Sequence, residues 1–181
     1  NPFINPMCGS GTLAIEAALI ATNRAPGLFR ANYAFMHIEG YNKAVYEKEK
    51  ALLNWQIKDV PHLKIIATDL SNKAVENAKK NAAAAGVENL IHFAVCDFAA
   101  TQVPQNKPGI MMVNPEYGER LGDEQELEET YSRIGDFMKQ QCGGYFGYVF
   151  TGNLDLAKKI GLKPKRRIEF YNGKIDCRLM K

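Results

Sequence analysis

Short apolar runs alternate along this chain with longer segments in which apolar residues recur at helical spacing. The short runs cover residues 3–5, 64–68, 91–96, 109–113 and 145–151. Each run is bounded by polar or turn-forming residues, a pattern that predicts buried strands. The segments between them predict helices over residues 13–22, 43–57, 71–86 and 123–143.

Residues that favour helix ends support these helices. Ser71 is a good N-cap and Gly86 a natural residue to follow a helix, while Asp123 with Glu126 resembles a capping box. Strands that alternate with helices predict parallel βαβ units and an α/β fold with a mostly parallel sheet. In such a fold, ligands bind outside the carboxyl ends of the strands.

The C-terminal part of the chain departs from this alternation. Residues 168–170 and 175–179 alternate apolar and polar side chains on either side of Asn172-Gly173. That dipeptide is a strong signal for a two-residue turn between antiparallel strands. The sequence therefore predicts an antiparallel hairpin at the end of the sheet.

The 181 residues, of which 46% are hydrophobic and 24% charged, predict one globular domain over residues 1–181. No apolar run approaches the ~20 residues of a membrane span, so no membrane segment is expected. The first residues already resemble a strand, and we interpret the chain as a fragment of a longer protein. The net charge of +3 permits a nucleic-acid partner without requiring one.

The four cysteines are far apart and lie in or beside apolar segments, a pattern typical of reduced thiols in a cytoplasmic protein. The three histidines are equally scattered. No pair has the short spacing of a zinc site, so no metal site is expected.

A glycine loop follows the first predicted strand and precedes the first helix. Gly9 and Gly11 allow a sharp turn and the close approach of a ligand to the N–H groups of the helix. Asp69 ends the second strand, where a carboxylate can accept hydrogen bonds from both hydroxyls of a ribose. A purely local role, charging the N-terminus of the next helix, is the alternative. The spacing from Gly11 to Asp69 far exceeds the ~20 residues of a dinucleotide fold, and an insertion over residues 23–62 accounts for the excess.

Polar residues also follow the third and fourth strands. Asp97 could accept a hydrogen bond from an adenine amine while Phe98 packs on the ring, although loop capping by Asp97 is the alternative. Asn114 and Pro115 offer two neighbouring carbonyl oxygens to an NH₂ group, and Tyr117 can stack on a flat ring. Such a site suits a base taken out of its helix or loop, whereas a plain Asn-Pro turn is the alternative.

Three segments together resemble the S-adenosylmethionine-dependent guanine-N2 methyltransferases of 23S ribosomal RNA, which belong to the THUMP-associated methyltransferases. They are Asn5-Pro6-Met7-Cys8-Gly9-Ser10-Gly11-Thr12, Asn114-Pro115-Glu116-Tyr117-Gly118-Glu119-Arg120-Leu121 and Tyr171-Asn172-Gly173-Lys174-Ile175-Asp176-Cys177. The resemblance covers essentially the whole chain. It implies the Rossmann-like class I methyltransferase fold, a seven-stranded sheet with an antiparallel last strand, and an upstream RNA-binding domain in the full-length protein.

The resemblance also implies roles for the candidate residues. Residues 5–12 and Asn114 would bind the cofactor, together with Asp69 for the ribose and Asp97 with Phe98 for the adenine. Asn114, Pro115 and Tyr117 would be catalytic and hold the target base. Transfer needs little acid–base help, because the sulfonium is a strong electrophile and orientation supplies much of the acceleration.

This chain differs from the family pattern at two positions. Asn5 stands where the family usually has Asp, which leaves a dipole in place of a charge near the cofactor's ammonium group. Glu116 replaces the second proline of an Asn-Pro-Pro-Tyr motif. We hypothesise that Glu116 accepts a hydrogen bond from guanine N1–H and so favours guanine over adenine.

Basic residues offer contacts to ribosomal RNA. The densest stretch comprises Lys158, Lys159, Lys163, Lys165, Arg166 and Arg167, although such a run is usually a solvated face. Arg24 and Arg30, beside an aromatic stretch, are further candidate substrate contacts on the same open side of the sheet.

Three other functions are compatible with the sequence. Asn-Pro-x-Tyr suits any planar NH₂ acceptor, so DNA adenine or a protein glutamine amide is an alternative substrate. The departures at Asn5 and Glu116 are also consistent with a catalytically silent RNA-binding scaffold. A nicotinamide dehydrogenase is least favoured, because it gives no reason for the residues from Asn114 to Tyr117.

Overall fold

The computed structural model describes residues 1–117 and 124–181, which form a seven-stranded sheet in the order β3-β2-β1-β4-β5-β7-β6. The strands are β1 (Phe3–Pro6), β2 (Ile65–Asp69), β3 (Ile91–Val95), β4 (Ile110–Val113), β5 (Phe146–Thr151), β6 (Arg167–Asn172) and β7 (Ile175–Met180). β1 to β5 are parallel, and β7 is antiparallel to both β5 and β6. The predicted α/β fold with its C-terminal hairpin is confirmed.

The helices are α1 (Thr12–Ala21), α2 (Lys43–Trp55), α3 (Asn72–Ala84), α4 (Glu124–Gln141) and α5 (Leu154–Lys159). Ser71 caps α3 as predicted, because its side chain accepts a hydrogen bond from the N–H of Ala74. Asp123, half of the predicted capping box of α4, lies outside the described residues. The sequence did not predict α5, a six-residue helix whose N-cap is Asn153.

Two hydrophobic clusters cover the two faces of the sheet. Strand pairing puts Phe3 beside Ile65 and Ile4 beside Met111, so Ile65 and Met111 point to opposite faces. The face of Ile65 packs against α1 and α3. The face of Met111 packs against α4, α5 and the residue that follows α5, Ile160. This double covering explains why the parallel strands are mostly apolar along their whole length.

The segment identified from the sequence as an insertion joins α1 to β2. Its helix α2 has no buried residue among its thirteen, and Trp55 is 82% exposed. The segment is tied to the end of α1 by hydrogen bonds from the Asn23 side chain to the Gln56 carbonyl and from the Lys58 N–H to the Thr22 carbonyl. It therefore adds to the βαβ core without contributing to either cluster.

Within the described ranges, no helix combines the length and the apolar character that crossing a membrane requires.

The contact between α4 and α5 yields a stability prediction. A Cβ on Gly135 would lie 1.9 Å from the backbone oxygen of Ile160, so alanine at this position requires the backbone to move. We expect Gly135→Ala to lower the free energy of unfolding by about 1–3 kcal/mol, despite alanine's helix propensity. Urea denaturation measures the change.

Gly143→Ala is the matched control. Its Cβ would meet nothing within 4 Å, and its φ lies outside the left-handed region, so it should change stability by no more than about 0.5 kcal/mol. Equal effects of the two substitutions would contradict the packing explanation.

Candidate active site

The exits of β1 and β4 lie side by side at one edge of the sheet. The two strands are parallel neighbours, with Phe3 paired to Ile110 and Ile4 to Met111. Asn5, only 1% exposed, reinforces the pairing because its Nδ2 donates a hydrogen bond to the Met112 carbonyl, 2.9 Å away. The glycine loop after β1 and the Asn-Pro segment after β4 consequently open onto the same edge, as the sequence predicted.

The glycine loop has a fixed and partly strained backbone. Met7 adopts φ 59° and Gly11 φ 85°, and the left-handed conformation costs a residue with a side chain about 1–3 kcal/mol. A Cβ on Gly11 would lie 2.9 Å from the Cβ of Ala78 on α3, so only glycine permits this approach. Asn81 Nδ2, also on α3, donates to the Ser10 carbonyl at 2.9 Å. The loop shape is thus set by α3 as well as by its own residues.

Asp69 connects the end of β2 to the glycine loop. Its Oδ2 accepts a hydrogen bond from the Gly9 N–H at 2.8 Å, and its Oδ1 accepts one from the Ser71 N–H at 3.0 Å. A carboxylate offers about four acceptor positions, so capacity for ribose hydroxyls remains. Asp69 can therefore accept hydrogen bonds from a ribose and also act locally at the N-terminus of α3.

Asp97 follows β3 and is held by an arginine that the sequence analysis did not single out. Nη2 of Arg133, on α4, lies 2.8 Å from each carboxylate oxygen of Asp97. Oδ1 also accepts a hydrogen bond from the Ala99 N–H, as in the alternative capping role. Arg133 lies 4.8 Å above the centroid of the Phe98 ring, which packs edge-on against Phe137 and is 6% exposed. The ring of Phe98 therefore belongs to the core here, and Arg133 covers it.

Two pKa shifts describe the electrostatics of this edge. The hydrogen bonds from Arg133 hold the pKa of Asp97 below its ordinary value, so the carboxylate is charged at neutral pH. Burial, with the nearby Asp69 carboxylate, raises the pKa of the Cys8 thiol to about 12. Cys8 is consequently a protonated, poorly nucleophilic thiol in spite of its place in the loop.

Buried and exposed residues alternate along the segment after β4. Pro115 is fully buried, whereas Asn114 and Glu116 are exposed and Tyr117 is half-buried. The Tyr117 hydroxyl accepts a hydrogen bond from Nδ2 of Asn172, in the β6–β7 hairpin, at 3.1 Å. Residues 118–121 of the resembling motif lie outside the described residues.

Arg24 is not brought to this edge. Arg24 follows α1, and its side chain lies against Phe29 and close to Gly86, which follows α3. The helices run antiparallel to the strands, so Arg24 lies at the opposite, amino-end edge of the sheet, whereas Arg30 borders a groove with Ile15 and Glu16 of α1. The expectation that Arg24 shares the open side with Asn114 is wrong. The placement of Arg30, and a role of either arginine in RNA binding, stay predictions.

The basic stretch also lies at the amino-end edge. Four of its cations, Lys158, Lys163, Lys165 and Arg167, border a groove of about 870 Å³ between α5, the start of β5 and the end of β7. Lys158 pairs with Asp155 and Lys159 with Glu128, each at 2.7 Å. Within residues 1–117 and 124–181, no ion pair is formed by the remaining cations, namely Lys163, Lys165, Arg166 and Arg167.

Sequence reasoning missed three supporting residues: Asn81, Arg133 and Asn172 as a side-chain donor. Arg133 lies in the middle of α4 and Asn81 in the last turn of α3, where a polar residue is ordinarily solvent-facing, so the pattern gave no signal. Asn172 was assigned to a turn for its backbone preference. Its side-chain contact depends on the hairpin lying beside β5, which only the tertiary structure specifies.

The strand order and the site at the carboxyl ends of β1, β2 and β4 together define a class I methyltransferase domain. All 181 residues match the sequence profile of the UPF0020 family, described as the RMKL-like methyltransferase domain. The chain belongs to this family.

Curated relatives agree with this assignment. The chain is 38% identical to the ribosomal RNA large subunit methyltransferase K/L of Shewanella baltica, over 97% of this chain and 25% of that protein. It is 36% identical to the protein of the same name from Syntrophotalea carbinolica, over 98% of this chain and 26% of that protein. The chain thus spans about a quarter of the length of these relatives.

Solved structures agree as well. The protein SMU.472, solved in complex with SAH, superposes with a TM-score of 0.90 at 29% identity, over 99% of this chain and 47% of that one. A predicted N6-adenine-specific DNA methylase from Listeria monocytogenes superposes with a TM-score of 0.87 at 31% identity, over 100% of this chain and 46% of that one.

The residues present fit an adenosyl cofactor with an ammonium group. Oδ1 of Asn5 is buried and accepts no hydrogen bond from any described residue, which leaves an acceptor for a ligand's donor. A Cβ on Gly9 would meet nothing within 4 Å, so open space lies against the loop backbone. The carboxylates of Asp69 and Asp97 retain acceptor capacity beside it.

The pairing of Arg133 with Asp97 predicts a pH effect. Replacing Arg133 with Met should raise the pKa of Asp97 toward its ordinary value, because the charged donor is lost. Since the folded pKa is the lower one, the pair stabilises the fold above the ordinary pKa, and this stabilisation is lost as pH falls through the folded value. Carboxyl NMR titration of Asp97 gives the measurement.

Lys158→Met is the matched control, because Lys158 lowers the pKa of Asp155 in the same way at a separate place. It should raise the pKa of Asp155 and leave that of Asp97 unchanged. An unaltered Asp97 titration in the Arg133 variant would show that the ion pair does not form in solution.

Proposed function

We propose that this domain methylates the exocyclic N2 amine of a guanine in 23S ribosomal RNA, with S-adenosylmethionine as donor. The observation that supports the proposal best is the adjacency of β1 and β4, which opens a cofactor loop and an amine-binding segment onto one edge. The names of the curated relatives support the RNA substrate.

The chain's residues take distinct roles in this proposal. The loop of residues 5–12 binds the methionine part, with Asn5 as an acceptor for the ammonium group. Asp69 accepts from the ribose hydroxyls and Asp97 from the adenine amine. Because the Phe98 ring is buried under Arg133, the guanidinium rather than the phenyl face is the planar surface nearest to Asp97.

The target amine is oriented by the segment after β4. When bound, S-adenosylmethionine supplies an electrophilic methyl carbon. Asn114 and the Pro115 carbonyl accept hydrogen bonds from the NH₂ group, Tyr117 stacks on the base, and Glu116 accepts from guanine N1–H. The amine nitrogen gains its bond to carbon as the carbon–sulfur bond breaks, and the amine proton leaves to water. Catalysis then rests on orientation, with no obligatory general base.

We further propose that the full-length protein carries an upstream RNA-binding domain and acts in the cytoplasm. The curated relatives are about four times as long as this chain, which leaves room for such a domain. The free, mostly buried thiols are consistent with a reducing compartment.

Methylation of DNA adenine is a second candidate, favoured by the description of the Listeria monocytogenes structure. Asn114 and Pro115 would serve an adenine N6 amine equally well, whereas Glu116 has no N–H to accept from at adenine N1. Parallel assays on guanine-containing RNA and on adenine-containing DNA separate the two candidates.

We also propose that the groove at the amino-end edge binds the phosphates of the same RNA. It is bordered by cations without an ion-pair partner in the described ranges, among them Lys163, Lys165 and Arg167. The two edges of the sheet are about 20 Å apart, since β5 has six residues at about 3.3 Å each. A short RNA stem covers that distance, so one stem can reach both edges.

Two substitutions separate cofactor binding from transfer. Asp69→Ala should weaken S-adenosylmethionine binding by about 10–100-fold, because a charged acceptor of two hydroxyls is lost. Asn114→Ala should weaken that binding less than Asp69→Ala does and, at saturating cofactor, lower methyl transfer by at least about 100-fold, because the amine is no longer oriented. Calorimetric titration and incorporation of labelled methyl groups into ribosomal RNA measure the two effects.

The unsubstituted protein sets the reference for this experiment. Its failure to bind S-adenosylmethionine at millimolar concentration would favour the catalytically silent scaffold. Cofactor binding without transfer to RNA, but with transfer to DNA, would favour the second candidate.

Removing positive charges from the groove should change the salt dependence of RNA binding. Replacing Lys163, Lys165 and Arg167 with Gln should reduce the slope of log K against log[salt] for RNA binding by about 2–3, at about 0.9 per lost phosphate contact. The control exchanges three exposed lysines elsewhere, Lys48, Lys79 and Lys80, for Gln. If both triple variants change the slope equally, the groove has no special role.

A further inference from the structure

The β6–β7 hairpin brings its turn to the same edge as the candidate active site. β7 runs antiparallel to β5, and β6 runs antiparallel to β7, so β6 ends at the edge where β5 ends. The turn between Asn172 and Ile175 is therefore next to the exit of β5, one strand beyond β4. None of the roles assigned above uses this turn.

One side chain of the turn bonds to the tyrosine of the target-base segment. Nδ2 of Asn172 donates a hydrogen bond to the Tyr117 hydroxyl at 3.1 Å. The two residues are 55 positions apart in the chain, so the bond exists only because the hairpin packs beside β5. It fixes the far end of a half-buried aromatic ring.

The ring is also confined from the side of β5. A Cβ on Gly152 would lie 3.0 Å from Cδ2 of Tyr117 and 2.7 Å from Cγ2 of Ile175. The ring thus rests against a glycine at the end of β5, next to the first residue of β7. The absence of a side chain at Gly152 is what makes room for Tyr117.

We propose that the β6–β7 turn forms one wall of the target-base site, and that Asn172 is a positioning residue that fixes the plane of the Tyr117 ring for stacking on a purine of the RNA. The inference rests on the proposed function, because it assigns the orientation of that same site. Two contacts hold the ring: a hydrogen bond at the hydroxyl and the surface of Gly152 along its edge.

A double-mutant cycle tests this role in the full-length protein. Asn172→Ala and Tyr117→Phe remove the same hydrogen bond from its two ends, so each should lower the kcat of methyl transfer by about 5–10-fold. The double variant should lose no more than either single variant, because the shared bond can be lost only once. Affinity for S-adenosylmethionine should be unchanged in all three.

Two further variants distinguish positioning from general damage. Asn172→Asp should restore much of the rate, because a carboxylate accepts a hydrogen bond from the Tyr117 hydroxyl. Gly152→Ala should lower kcat without touching Asn172, because its methyl group displaces the ring. The proposal would be overturned if the losses in kcat of Asn172→Ala and Tyr117→Phe multiplied in the double variant. It would also be overturned if Asn172→Asp were as slow as Asn172→Ala.

A measurement without substrate separates this inference from the proposed function. The NMR signals of the Tyr117 ring, in protein with labelled tyrosine, should shift in Asn172→Ala because the ring loses its anchor. Unchanged ring signals would overturn the inference even in an active methyltransferase. Altered ring signals in a protein that methylates no RNA would support the positioning role of Asn172 and reject the proposed function.

Discussion

The parallel pairing of β1 with β4 is the constraint on which the rest of this domain depends. It places the last residues of two strands, more than 100 positions apart in sequence, within hydrogen-bond distance of each other, as the Asn5 bond to the Met112 carbonyl shows. Strand order reverses direction at this pair, and ligands in open α/β sheets bind at such a point because the following segments diverge there and leave a crevice.

The site is supported from the elements around it rather than by its own loop residues. Asn81 on α3 holds the glycine loop, Arg133 on α4 holds Asp97, and Asn172 in the last hairpin holds Tyr117. Each of these hydrogen bonds joins a side chain of one helix or strand to the segment that follows a different strand. Preorganised sites need this arrangement, because an exit loop has too few contacts of its own to fix a side chain.

The two edges of the sheet differ in chemistry because strands and helices run in opposite directions. Strand exits gather acceptors such as Asp69 and Asn114 at one edge, while the segments after α1 and α5 carry Arg24 and Lys163 to the other. Residues that a one-dimensional pattern places next to a motif can therefore lie a strand length, about 20 Å, from it. The misplacement of Arg24 has this origin.

The sequence by itself determined the strands, four of the five helices, the hairpin and the residues at the strand exits, because periodicity and turn chemistry are local properties. It also identified the motif after β4, since a polar pair directly after a buried strand is visible in one dimension. Only the tertiary structure decided which side chains meet: Arg133 with Asp97, and Asn172 with Tyr117. These pairs depend on how helices and strands pack across the sheet, and packing distances are not encoded in the spacing of any single segment.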